Sequence, residues 1–186
     1  MTHSTWEGDL VRLRGVRPDD WETVMAWDTD SEAQRYGWMV FMPKGSEAAK
    51  KWAHDQSTAE PRDDNYFFLI ETLDGTPVGD LNTHGCDRIN RRFEYGVALA
   101  RQHWGKGYAA DAIKIICRFM FAERGYNKVL ASVYAYNKRS KTMHERLGMV
   151  LEGTLRQNHF STGEFHDEYL LGMTAAEFFD LYGRRD

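Results

Sequence analysis

One stretch constrains the fold more than any other: Gln102-His103-Trp104-Gly105-Lys106-Gly107-Tyr108-Ala109. An apolar, strand-like run from Tyr95 to Ala100 leads into it, and a helical pattern leads out from about Lys106 to Gly125. Ala109, Ala112, Ile113, Ile116, Phe119 and Met120 share one face of that helix, and Gly125 ends it as a C-terminal glycine does. The first N–H groups of a helix have no partner inside it, and the peptide dipoles put partial positive charge at that end. Here no Ser, Thr, Asp or Asn stands at the capping position, and the first acid, Asp111, comes a full turn later. A helix start without its own cap, approached through glycines, is where a phosphate group would most naturally sit.

The rest of the chain arranges itself around this unit. Leu10-Val11-Arg12-Leu13-Arg14 alternates as a strand with one wet face. Pro18 opens a helix to about Asp28, with Trp21, Val24, Met25 and Trp27 or Asp28 inward. Residues 31–45 read as a short helix followed by an aromatic loop, and Ser46 starts a helix to about Thr58 with Ala49, Trp52 and Ala53 inward. Tyr66 to Thr72 is a strand, Asp74-Gly75 a hairpin turn, and Pro77 to His84 the returning strand. Gly85 to Asn90 makes the next turn and Arg92 to Leu99 the next strand. Lys128 to Ala135 is a buried strand, and Asn137 or a neighbour caps a helix to Leu147. Met149 to Phe160 and Glu164 to Met173 form a hairpin turned at Ser161-Thr162-Gly163, and Ala175 to Tyr182 is a closing helix. The order predicts a single α/β (α+β) domain over residues 1–186 with a central, mostly antiparallel mixed sheet flanked by helices. Residues 1–8 are expected to be a flexible N-terminus.

At 186 residues, with 42% apolar and 13% aromatic side chains, the chain suits one well-filled core. A net charge of -4 argues against a general nucleic-acid binder. Cys86 and Cys117 read as small core residues, and no His, Cys or acidic cluster has metal spacing, so no metal is expected. No run approaches membrane-spanning length and the N-terminus lacks an apolar signal core, which makes the cytoplasm the default location.

Gln102 to Ala109 matches the Q/R-x-x-G-x-G/A signature of the GCN5-related N-acetyltransferases. Asn137-Lys138-Arg139-Ser140, followed by Glu145-Arg146-Leu147-Gly148-Met149, resembles the N-x-x-S and E-K-L-G-F segment of the same superfamily. Glu152-Gly153-Thr154-Leu155-Arg156, followed by Gly163 and Asp167, is similar to the ending of its RimJ/RimL branch, whose known members acetylate protein N-termini. The resemblance covers Leu10 to Phe179. It implies a fold with the sheet splayed around an acyl-coenzyme A site. It also implies acetyl-coenzyme A as co-substrate and transfer to a primary amine by direct attack in a ternary complex. The pyrophosphate would lie on Gln102, His103, Trp104, Gly105, Lys106, Gly107, Tyr108 and Ala109. The pantetheine arm would pair with the strand at Val97, Ala98 and Leu99 and touch Asn137 and Ser140. Asn137 also reads as a simple helix cap.

Acyl transfer to an amine needs a proton acceptor, donors for the developing oxyanion and an acid or hydrogen bond for the leaving thiolate. Many superfamily members place a tyrosine acid seven residues after the asparagine; this chain has His144 there, with Ser140 as the rival donor. For the base, His159 stands where the RimL-like pattern has a glutamate, and an imidazole titrates in the useful range. Glu94 is the second candidate and His84, on the preceding strand, a third; His166 and Asp167, on the returning hairpin strand, have a bland solvated or turn-stabilising reading. Acceptor contacts are expected from Tyr36, Trp38, Met39, Phe41 and the Phe160 hairpin, though these aromatics suit core packing or a homodimer face as well. Transfer of another acyl group such as succinyl, a small-molecule or antibiotic acceptor, and a non-catalytic coenzyme A sensor stay open.

Overall fold

The structure, a computed structural model, describes residues 4–184. The strands are β1 (Val11–Arg14), β2 (Phe67–Thr72), β3 (Pro77–Asp87), β4 (Arg92–Leu99), β5 (Lys128–Tyr134), β6 (Val150–Ser161) and β7 (Glu164–Thr174). The helices are α1 (Trp21–Trp27), α2 (Ser31–Gly37), α3 (Ser46–Thr58), α4 (Tyr108–Ala122), α5 (Lys138–Arg146) and α6 (Ala175–Tyr182). The seven strands are hydrogen-bonded in the order β1-β2-β3-β4-β5-β7-β6. Pairing is antiparallel for β1–β2, β2–β3, β5–β7 and β6–β7, and parallel for β4–β5 over Arg92–Glu94 with Lys128–Leu130. This is the mixed, mostly antiparallel sheet with flanking helices that the element order predicts. Among the described residues, no helix is long and apolar enough to cross a membrane.

The chain divides into two compact units. One holds the chain up to Thr83 together with Gly96–Ile115; the other holds His84–Tyr95 and the chain from Ile116 onward. In the first, the helical periodicity of α1 and α3 meets the alternation of β2. Val16, Ala53 and Leu69 are buried, with Trp21, Val24, Trp27, Trp52 and Phe67 packed on them. The face of β1 expected to be wet is instead an ion network. Arg14 reaches Asp20 at 2.8 Å and Glu71 at 2.5 Å, and Arg12 reaches Glu71 at 2.9 Å. Alternation alone cannot tell a solvated basic face from one covered by a helix that brings its own acid. The expected loose N-terminus is likewise anchored over residues 4–8. Leu13 N–H donates to Trp6 C=O at 2.9 Å, and the Trp6 ring lies 5.1 Å from Phe68. Residues 1–3 lie outside the described residues.

In the second unit Phe93 sits at the centre, its ring 5.8 Å from Phe121 and 5.5 Å from Tyr126, with Phe121 5.5 Å from Phe178. β5 pairs with β7 from Lys128↔Thr174 to Tyr134↔Glu168. The β6–β7 hairpin carries register shifts between Leu151 and Gly153 and between Leu155 and His159.

The boundaries of β3 and α4 differ from expectation. β3 continues through Gly85 and Cys86, because the turn is set by Asp87, whose Oδ1 accepts from Ile89 and Asn90 N–H at 3.0 and 2.9 Å. Cys86 is therefore half-buried on a strand rather than a core residue, whereas Cys117 is buried. α4 begins at Tyr108 and ends at Ala122, inside the expected span.

Candidate active site

The turn before α4 lies in the first unit. Gly105 and Gly107 both take left-handed φ values, +78° and +84°. Nothing lies within 4 Å of where a Gly105 Cβ would be, so this backbone is open on its outer side. The first α4 bond is Asp111 N–H to Gly107 C=O at 3.1 Å. Among the described residues, the N–H groups from Gly105 to Ala110 have no acceptor within the protein. Gly107, as the capping residue, has no side chain to supply one. A row of donors on a positive helix end, with glycines permitting close approach, fits a pyrophosphate. Gln102 and Lys106 are exposed beside it. Burial, then the nearby Lys106 charge, pushes the His103 pKa down, so this ring is neutral near pH 7.

Three side chains fix this turn. Asp111, buried, accepts from Leu10 and Val11 N–H at 2.8 and 3.1 Å and pairs with Lys114 at 3.1 Å. Burial alone would raise its carboxyl, but these partners hold it below the usual value, and its charge is turned to β1 rather than to the donor row. Arg101 binds Asp30, the N-cap of α2, with two bonds of 2.6 Å, and Glu32 at 2.9 Å. The Trp104 indole N–H donates to Leu99 C=O at 2.7 Å, and its ring meets Tyr36 edge-on at 5.8 Å. Trp104 and Tyr36, expected at cofactor and acceptor, are thus occupied in tying α2 to the turn. Trp38 to Met42 is a run of exposed large apolar side chains, with Trp38 60% and Met42 82% exposed.

The other sequence candidates lie in the second unit. Asn137 is the N-cap of α5, its Oδ1 accepting Ser140 N–H at 3.1 Å. His144 Nδ1 lies 2.8 Å from Ser140 C=O and 3.3 Å from Ser140 Oγ. A carbonyl only accepts, so the ring proton is on Nδ1, and the Ser140 hydroxyl keeps its own proton for another acceptor. His144 Nε2 is then a bare lone pair, buried and without a partner among the described residues. Burial lowers the His144 pKa, and the Ser140 carbonyl offsets it only in part. In this state Nε2 cannot donate to a thiolate.

His159 is stacked on Tyr134 at 3.6 Å with 15° between the planes, and its Nε2 is 3.1 Å from Tyr136 Oη. Tyr136 also meets His166 edge-on at 4.9 Å. Burial lowers the His159 pKa, Glu168 opposes this and His166 adds to it, so the ring is neutral near pH 7. Glu94 lies beside Gly85, its Oε1 3.1 Å from where a Gly85 Cβ would stand. Phe160 is 60% exposed and pairs with Phe165 at the hairpin tip. Asp167 Oδ1 accepts from Gln157 N–H at 2.9 Å, a turn-stabilising role.

Asp80 was not among the sequence candidates. It lies on β3 between Gly79 and Leu81, and its carboxyl is pushed up to about 7 by burial and then by the charge of Asp28. The strand also carries Asn82, Thr83 and His84, so a further polar side chain there gave no signal.

The family model described as acetyltransferase (GNAT) domain matches residues 11–150. The SPbeta prophage-derived uncharacterized N-acetyltransferase YokL of Bacillus subtilis is 34% identical over 179 residues, 96% of this chain and 97% of its own. The spermidine N(1)-acetyltransferase of Escherichia coli is 25% identical over 162 residues, 84% of this chain and 82% of its own. Among solved structures, spermidine N-acetyltransferase from Vibrio cholerae in complex with CoA and spermine aligns with a TM-score of 0.78 at 18% identity, covering 91% of this chain and 98% of its own. At that identity the likeness speaks for the fold alone.

Proposed function

The chain belongs to the acetyltransferase (GNAT) domain family and is an acetyl-CoA-dependent N-acetyltransferase, and from that premise we propose that it acetylates a primary amine by direct attack in a ternary complex. Bound acetyl-CoA would supply an activated acyl carbon and a thiolate leaving group. The observation that carries the reading is the unpartnered row of N–H groups from Gly105 to Ala110, which would hold the pyrophosphate. Val97 and Leu99 on β4, and Asn137 at the start of α5, are the proposed contacts of the pantetheine arm. Ser140, whose hydroxyl proton is not used by His144, is the proposed donor to the thiolate, and His144 holds that residue in place. His159 and Glu94 are the sequence candidates for the base; the Nε2 of His159 is already engaged by Tyr136.

The acceptor is a small-molecule or peptide amine. The relatives that acetylate spermidine favour a polyamine. The exposed Trp38 to Met42 run favours an amine attached to apolar surface. The Glu152-Gly153-Thr154-Leu155-Arg156 segment supports the RimJ/RimL-like branch and keeps N-terminal peptides on the panel.

Calorimetric titration with acetyl-CoA should give saturable binding, and no heat at millimolar ligand would refute the reading. Thiol release should then follow with at least one of spermidine, N-terminal peptides or aminoglycosides. Faster release from succinyl-CoA would reassign the acyl group, and binding without release on any amine would leave a coenzyme A sensor.

A further inference from the structure

We propose that Asp80, with Asp28 beside it, is the carboxylate that receives the acceptor's ammonium group and takes its proton. This rests on the transferase reading above. It concerns the half of the reaction for which the sequence offered His159, then Glu94 and His84.

The placement comes from the first unit. β2 and β3 pair with Leu69 opposite Asp80 and Phe67 opposite Asn82. On the other side of β3, Ala100 N–H donates to Val78 C=O at 3.0 Å. Asn82 Oδ1 lies over Gly96, 2.4 Å from where a Cβ would be. These two anchors set Asp80 level with Ala98, next to the Val97–Leu99 stretch assigned above to the pantetheine arm. Ala98 is exposed, and Gly37 of α2 lies over it, where an added Cβ would stand 3.8 Å from the Ala98 Cβ. Small residues therefore leave room above this point of β4.

Asp80 is half-buried on β3, packed about by protein on its inner side and still open to solvent. Among the described residues, no N–H or O–H donor reaches its carboxylate. With no protein donor and no counter-ion among them, the charge of this half-buried acid is met by solvent alone. The neighbouring charge is of the same sign: Asp28, at the C-terminal cap of α1. Asp28 has Lys44 at 3.8 Å, and its own pKa is raised by burial against the opposing effect of Lys44. A half-buried acid with no protein donor, beside a second acid, favours a cation, and an alkylammonium supplies both charge and donors. In the step proposed, one proton passes from the ammonium to the Asp80 carboxylate. The carboxylate becomes a carboxylic acid, and the amine keeps the electron pair with which it attacks. A base poised near 7 suits that exchange at neutral pH.

The test compares wild type, D80N, D28N and E94Q in thiol release from acetyl-CoA, with the wild type's best amine of the panel and with hydroxylamine. Hydroxylamine is uncharged at neutral pH and needs no proton removed before attack. D80N should lose on the order of 100-fold in kcat/KM with the amine and little with hydroxylamine. Its coenzyme A affinity should be unchanged and its thermal midpoint at pH 8 no lower than wild type. The acidic limb of the wild-type pH profile, near 7, should disappear in D80N, persist in E94Q and move to lower pH in D28N, where the like charge is gone. Wild-type rates in D80N, or a limb lost in E94Q instead, would overturn the assignment. Should D80N fail to fold, an unmoved limb in D28N would overturn it as well. Absence of thiol release from the wild type with every amine would refute the transferase reading itself, and the inference with it.

Discussion

Burial decides what His144 can do. The sequence places an imidazole seven residues after Asn137, where an acid is wanted, and residue type alone makes it a competent donor. The structure turns Nδ1–H onto the Ser140 carbonyl at 2.8 Å and leaves Nε2 as a buried acceptor. Nothing in the sequence announces that, since it depends on the ring lying inside the unit rather than on the outer face of α5. The Asn137 cap, by contrast, was legible, because capping is local. Ser140→Ala should lower kcat by about 10- to 100-fold with the acetyl-CoA KM within about twofold, read by steady-state thiol release. His144→Asn, which keeps a donor near the Ser140 carbonyl, should retain most of the rate. A larger loss in His144→Asn than in Ser140→Ala would return the donor role to the histidine.

At the scale of elements, what the sequence showed well was what depends on periodicity and on residues close in the chain. The strand–turn–helix unit around Gly105 stands where the pattern puts it, as do α2, α3 and the β6–β7 hairpin. The turn after β3 was misplaced because Asp87 collects the N–H groups of Ile89 and Asn90, a preference that competes with the nearer glycine. The Asp111 tether was invisible because its partners, Leu10 and Val11, are distant in sequence. The donor row gives a clean element-level prediction. Gly105→Ala meets no neighbour but must hold a left-handed φ, which costs about 1 kcal/mol. If the turn holds pyrophosphate, the substitution should weaken coenzyme A binding by about tenfold through one displaced charge-assisted bond. Binding of pantetheine, which lacks the pyrophosphate, should not change. Equal losses for both ligands by calorimetry would show that the turn does not read the phosphates.

For the molecule as a whole, the buried ionisable groups set opposing slopes in stability against pH. Asp80 has a folded pKa near 7, above its ordinary 3.8, so the folded state is most disfavoured above about 7 and recovers as pH falls. His144 has a folded pKa below its ordinary 6.5, so its contribution is complete above that value and is lost as pH falls below it. Thermal midpoints should therefore show D80N above wild type at pH 8 with the gap closing toward pH 5, and His144→Asn gaining on wild type only on the acid side. Asp20, Glu71 and Asp111 are held low by their partners despite burial. They stabilise fully above about 4 and release that stability as pH falls through their folded values. Within this set Glu71 pairs with two arginines, Arg12 and Arg14, from a side chain that is 6% exposed. Removing it strands Arg14, 12% exposed, with Asp20 as its remaining partner. Glu71→Ala should lower the unfolding free energy at pH 7 by about 3 kcal/mol, measured by urea titration. The difference from wild type should shrink below pH 4 as the wild-type carboxylate takes up its proton. A loss under about 1 kcal/mol at pH 7 would mean that the network behaves as a solvated surface cluster, as the alternation of β1 first indicated.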